Sequence, residues 1–182
     1  LGALSAFALD RYQFSGRNAF RTLTMSPLIV PVVILGLGLL QFLAWMGWTQ
    51  SFLPLVVGHI LITTPYVVRT LTASLVLFDR TLEQAAMTLR ASPAVVFRRI
   101  TLPLIAPAIV TGAVFAFVTS FGNVTLSIFL GFSGVSTLPV QIFTYVEHSY
   151  EPVLAAVSTI VIVVTLIVIG IVEKLTGVER VL

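Results

Sequence analysis

Residues able to do covalent chemistry are scarce in this chain, and their placement narrows what it does. Its only lysine, Lys174, follows Glu173 and precedes Leu175. The phosphate-cradling pattern GxxxxGK[ST] is therefore absent from these residues, and any ATP hydrolysis must come from elsewhere. There are no cysteines, which removes disulfides and thiolate metal sites. His148 lies between Glu147 and Glu151, a pattern open to a metal site or to an exposed external loop, and no further ligand cluster accompanies it. No nucleophile–base arrangement appears, so the chain is not expected to be an enzyme, and no catalytic or metal residue is assigned. His59, next to Gly58, sits in an apolar stretch, where a polar group is costly and often functional. It admits a role in a solute pathway or a hydrogen-bonded packing role. Thr119, Ser120 and Asn123, around Phe121, interrupt another apolar stretch and would line a pathway or bond across to a neighbouring helix.

The elements that hold these residues follow from hydropathy. Hydrophobic residues make up 58% of the 182 and charged ones 9%, far below the roughly 25% typical of soluble domains. No Asp, Glu, Lys or Arg occurs in 22–68, 101–146 or 152–172. A membrane-spanning helix needs about 20 apolar residues. The first block holds two spans joined by a hairpin at Gly47–Ser51, beside Trp45 and Trp48, which suit the interfacial aromatic belt. Spans are expected at about 27–48, 52–68, 102–130 and 152–172, with Arg69 to Ile100 a long connecting segment. The chain reads as one transmembrane domain over 1–182, an all-α polytopic helix bundle. It begins on Leu1, and apolar residues 1–9 resemble the end of a truncated helix, so the chain is expected to be the N-terminally truncated part of a longer protein.

Charge sets the orientation. The ten basic residues fall at 11–21, 69–99 and 174–180, and none lies in 47–51 or 131–151. Lys and Arg near span ends stay on the cytoplasmic side, so the connecting segment 69–100 is cytoplasmic, as are 10–21 and the tail. The net charge of +3 is thus a topology signal and not a nucleic-acid one. Arg69 is expected to snorkel to the cytoplasmic interface.

Residues 81–100 (TLEQAAMTLRASPAVVFRRI) carry the strongest pattern. Thr81 with Gln84 fits a capping box. Leu82, Ala85, Ala86 and Leu89 then recur at helical spacing. Ser92-Pro93 starts a second helix, with Pro93, Val96, Phe97 and Ile100 on one face. Two short amphipathic helices are therefore expected in the cytoplasm. Their apolar faces would rest on the bilayer or their own bundle, or dock on a partner by helix-in-groove recognition.

The run EQAAMTLRASPAVVFRRITLPLIAP resembles the coupling-loop motif of ABC importer permeases of the type I class. That pattern has Glu-Ala-Ala, a glycine four residues after the last alanine, and a later Ile-x-Leu-Pro. Ala85, Ala86, Ala91, Phe97, Ile100, Leu102 and Pro103 meet it. The usual glutamate is replaced by Gln84, with Glu83 beside it. The usual glycine is Arg90, so either the turn differs or the docking surface is modified. The flanks His59–Thr70, Thr137–Pro152 and Leu154–Thr159 are similar to the polyamine-type branch, although Gly122-Asn123 stands where such permeases often carry acids.

The resemblance implies a permease of the bacterial inner membrane that forms the pathway for a small, possibly polyamine-like, solute. It implies as partners a cytoplasmic ABC ATPase, which would bind ATP and Mg, a second permease subunit and an external solute-binding protein, with membrane lipid around the spans. No cofactor is expected in this chain. The alternative is an ATP-independent channel or secondary transporter, against which the uncharged blocks count.

Overall fold

The computed structural model describes residues 1–48, 51–132, 136–148 and 152–176. Part of the expected hairpin (Thr49, Gln50), Glu151 of the His148 cluster, and Arg180 of the tail lie outside the described residues. Ten helices run through the described part: α1 (Gly2–Arg11), α2 (Arg17–Met25), α3 (Val32–Trp45), α4 (Leu53–Val76), α5 (Thr81–Thr88), α6 (Pro93–Val96), α7 (Leu102–Phe121), α8 (Val124–Leu130), α9 (Leu138–His148) and α10 (Pro152–Thr176).

Proline punctuates the helix starts, where the missing N–H has no intrahelical partner to lose. Pro31 precedes α3, and Pro54, Pro93, Pro103, Pro139 and Pro152 occupy first turns. Pro65 lies inside α4 and Pro107 inside α7. Hydroxyls along these helices bond back to carbonyls one turn earlier: Thr63 to His59, Thr64 to Ile60, Thr70 to Tyr66 and Thr111 to Pro107. Such bonds satisfy polar side chains on their own helix, where no water is at hand.

Packing divides into two clusters. On the basic side, Ala6 and Leu9 of α1, Val68, Leu71 and Leu75 of α4 and Ile105 of α7 form one buried core. On the opposite side, Leu55 and Ile62 of α4 close with Leu126 and Leu130 of α8, backed by Leu35 and Leu39 of α3. Helix α8 reaches α3 and α4 only because glycines face it. A Cβ on Gly58 would overlap Leu130, and one on Gly36 would stand 2.9 Å from Phe129.

Several boundaries differ from those expected. Helix α3 starts at Val32, and its 14 residues reach about 21 Å, short of a ~30 Å hydrocarbon core. The stretch before it is not a plain loop: α2 and a 3₁₀ turn over Ser26–Leu28 form a segment bent 110° from α3. Helix α4 runs on to Val76, so Arg69 lies inside a helix and the connecting segment begins eight residues later than expected. A charge near a span end does not stop a helix, because the side chain extends to water while the backbone continues.

The third stretch is broken. Helix α7 stops at Phe121, and Asn123, with φ −86° and ψ 85°, restarts the chain as α8. The capping box is not formed either. The carboxylate of Asp79 accepts the Thr81 amide (2.9 Å) in place of any Thr81–Gln84 exchange, and Arg80 occupies the cap without a side-chain bond. Ser92 takes the extended cap conformation, also without a side-chain bond. The second short helix is not separate. Pro93–Phe121 is one 29-residue helix, passing through a wide π turn at Phe97–Thr101. The turn lies directly before Pro103, whose ring crowds the carbonyl four residues back.

Candidate functional site

Helix α5 is held by charge. The Arg11 guanidinium makes a bidentate pair with Glu83, Nη1 to Oε2 at 2.7 Å and Nη2 to Oε1 at 2.8 Å. The Thr101 hydroxyl donates to the same Oε1. Glu83 is only 9% exposed and Thr101 is buried. A buried carboxylate is tolerable when its lone pairs are filled in this way. Arg11 is itself placed by the Phe78 ring, 5.4 Å from its guanidinium carbon. Beside it Arg80 pairs with Asp10 at 2.9 Å. The Phe97 ring meets Phe7 of α1 edge-on at 5.5 Å. Glu83 thus ties three elements together: the end of α1, the body of α5 and the start of the long helix.

This arrangement divides the expected coupling residues. Glu83 turns toward the bundle, Phe97 touches Phe7 yet stays 43% exposed, Ile100 and Ala91 are half-buried, and Gln84, Ala85, Arg90 and Pro103 are exposed. Ala86 is half-buried, whereas Leu82, Met87 and Leu89 point outward, Leu89 being 84% exposed. Leu102 opens α7 and is also exposed. An apolar helical face is normally the buried one; here the inward face carries a paired charge and the apolar one stays open.

Helix α5 ends in a Schellman motif. The Arg90 amide donates to the Met87 carbonyl (2.9 Å) and the Ala91 amide to the Ala86 carbonyl (3.1 Å). That motif demands a left-handed residue, and Arg90 supplies it with φ +64°, the one non-glycine with positive φ among the described residues. The turn that glycine would favour is therefore kept, and an exposed guanidinium is added beside the open face.

Some 30 Å along α7 from Thr101, at ~1.5 Å per residue, a second site opens. A cavity of about 510 Å³ is lined by Phe52, His59, Thr63, Ser120, Phe121, Ser127 and Thr137, among others. His59 Nδ1–H donates to the Leu55 carbonyl (2.8 Å) and leaves Nε2 3.4 Å from Ser127 Oγ. The Ser127 hydroxyl donates to the Asn123 carbonyl (2.8 Å). The Thr137 hydroxyl is buried and unpartnered. Of the expected pathway residues, His59, Ser120 and Phe121 line this cavity, whereas Thr119 and Asn123 do not. The Asn123 side chain instead accepts the Leu126 amide (2.8 Å) and caps α8.

Sequence reasoning missed Thr63, Ser127 and Thr137; the polar residue one turn from His59 was the available signal for Thr63. It also missed Glu147, which lines a neighbouring 360 Å³ cavity sharing Ser127 with the first. Among the described residues no group of three His, Cys, Asp or Glu is placed to hold a metal.

Comparison with known proteins agrees with this anatomy. Residues 1–176 match the family described as binding-protein-dependent transport system inner membrane component. The putrescine transport system permease protein PotI of Escherichia coli K12 is 35% identical over 169 residues, covering 89% of this chain and 60% of PotI. The chain thus spans about 60% of the length of that relative. The spermidine/putrescine transport system permease protein PotC of Haemophilus influenzae is 32% identical, covering 97% of this chain and 68% of PotC. Among solved structures, an inward-facing MetNI methionine ABC transporter chain superposes with TM-score 0.65 over 99% of this chain and 82% of that one. At 19% identity that likeness concerns the fold. The apolar helices, the basic side and these matches together make the chain an integral protein of the inner membrane, belonging to the binding-protein-dependent transport system inner membrane component family.

Proposed function

We propose that this chain is the permease subunit of an ATP-driven importer, coupled through residues 81–103 to a separate ATPase that binds the ATP and Mg. The observation that carries this is the inverted helix α5. Its apolar stripe of Leu82, Ala85 and Leu89 is left open while Glu83 is locked to Arg11 and Thr101. A face so exposed suits a cleft in a partner protein, and the lock makes α5 move with α1 and α7 as one body.

Displacement at the cytoplasmic end would then reach Ser120 and Phe121 at the far end of α7. Alternating access follows if the ATPase and the solute favour different positions of this body, since a ligand shifts an equilibrium only through differential affinity. A second permease subunit would complete the pathway wall, and an external binding protein would deliver the solute.

The solute is a small organic molecule of the polyamine class. The names of PotI and PotC support this. A cationic amine needs carboxylate or hydroxyl partners. Thr137 offers a free hydroxyl at the cavity, and Glu147 a carboxylate in the adjoining one. The test is uptake of labelled putrescine into proteoliposomes holding the full-length permease with its copurifying ATPase and binding protein. Uptake should require ATP inside and vanish with Leu82→Asp/Leu89→Asp. Uptake that continues without ATP would replace this assignment with an ATP-independent transporter.

A further inference from the structure

A third cavity, of about 640 Å³, opens on the basic side between α2 and α4 and plays no part in the scheme above. Its lining includes Arg17, Arg21 and Arg69 with Asn18 and Thr72. Arg21 and Arg69 are the two residues that bound the uncharged block 22–68, so both ends of that block return to one site at the cytoplasmic interface.

None of the three arginines has a carboxylate partner among the described residues. Asp10 is taken by Arg80 and Arg11, Glu83 by Arg11, and Asp79 by the Thr81 amide. Arg17 is held in place by its bond to the Leu9 carbonyl (2.9 Å). The Thr72 hydroxyl at this cavity is buried and without a partner. Three converging guanidinium groups and a free hydroxyl make an anion site. The same cavity is lined by Leu28, Val76 and Leu77, exposed apolar residues of which Val76 is 71% and Leu77 86% exposed.

We infer that this cavity binds the phosphate of an anionic phospholipid of the cytoplasmic leaflet, with Arg21, Arg69 and Thr72 on the headgroup and Leu28, on the span side of Arg21, along the acyl chains. Basic pockets between helices at the cytoplasmic interface attract such headgroups. The apolar rim favours a lipid over a free ion, because a free phosphate has no use for it.

The experiment is native mass spectrometry of the full-length permease, titrated with phosphatidylglycerol or phosphatidylcholine of the same acyl chains. A parallel thermal-shift series uses inorganic phosphate on delipidated protein. Wild type is expected to prefer phosphatidylglycerol. Arg21→Gln/Arg69→Gln should weaken that lipid about 30-fold, at about fivefold per arginine. The pair Arg21→Lys/Arg69→Lys should retain most of the preference, and circular dichroism should show all variants equally helical. Arg17 is left unchanged because it also secures the end of α1. Equal binding of the two lipids by wild type, or a preference untouched by the glutamine pair, would overturn the inference. Arginine-dependent stabilisation by inorganic phosphate without any lipid preference would overturn the lipid assignment and leave a free-phosphate site.

Discussion

Neutralising one partner of the Glu83–Arg11 pair tests whether α5 is fastened to the bundle. In Glu83→Gln one oxygen remains for Thr101 and for one guanidinium N–H. The new amide NH₂ faces the other guanidinium N–H, donor against donor, where a 2.7 Å bond stood. One charge-assisted bond is lost, worth about 1.5–3 kcal/mol. Breaking a fully buried pair costs about 3–5 kcal/mol, but Arg11 keeps some compensation from Asp10 (3.5 Å) and the Phe78 ring. The expected loss is therefore about 2 kcal/mol, near the lower figure, which corresponds to about a 30-fold change in an equilibrium. Amide exchange resolves this locally, since separate segments open with separate free energies. Peptides covering 81–89 should lose about 30-fold protection in Glu83→Gln and in Arg11→Gln, and little further in the double variant, while 68–75 of α4 stays protected. Additive effects in the double variant, with coupling under about 0.5 kcal/mol, would refute the pairing as the fastening.

Other consequences are as direct. Arg90→Gly should stabilise the α5 terminus by about 1 kcal/mol, since a side chain in left-handed backbone costs about that much; a lower melting temperature would contradict the Schellman assignment. Asn123→Ala should cost about 1 kcal/mol through loss of the α8 cap while the neutral cap residue in Asn123→Ser keeps most of it, and equal stability of the two would rule the cap out. The Asp79 carboxyl, holding the Thr81 backbone and side chain, is pulled below its ordinary value. Its contribution to α5 is therefore complete above the ordinary aspartate range and lost only as pH falls through the lowered value. Carboxyl ¹³C titration of Asp79 at or above the ordinary range would contradict this.

The helical membrane fold was legible from the charge pattern, because an unpaired charge in hydrocarbon is expensive enough to leave whole blocks without one. Finer boundaries were not. Helix α4 passes Arg69 because the cost attaches to the charged head and not to the backbone. The break at Gly122-Asn123 leaves no trace in hydropathy, since apolar residues stand on both sides of it; a polar residue mid-span admits a lining group or a bond to a neighbouring helix, and its side chain caps α8. The periodicity of α5 located the helix and its apolar stripe, but which face is buried depended on Arg11, seventy-two positions away. At Arg90 the demand for a left-handed residue was readable, and the chain meets it at a cost in place of using glycine.

Whether the open face of α5 meets a separate ATPase is addressed most directly by cysteine cross-linking, for which these 182 residues, without a cysteine, give no background. Leu89→Cys and Leu82→Cys are placed in the full-length permease, any cysteine outside these 182 residues being replaced by serine, and the membranes are treated with a short thiol–amine cross-linker. One adduct is expected at each position with the same cytoplasmic ATPase, weakened when ATP is trapped or removed, and none from Ile105→Cys in the buried core. No ATPase adduct at either exposed position, in a protein that still transports its solute, would contradict it.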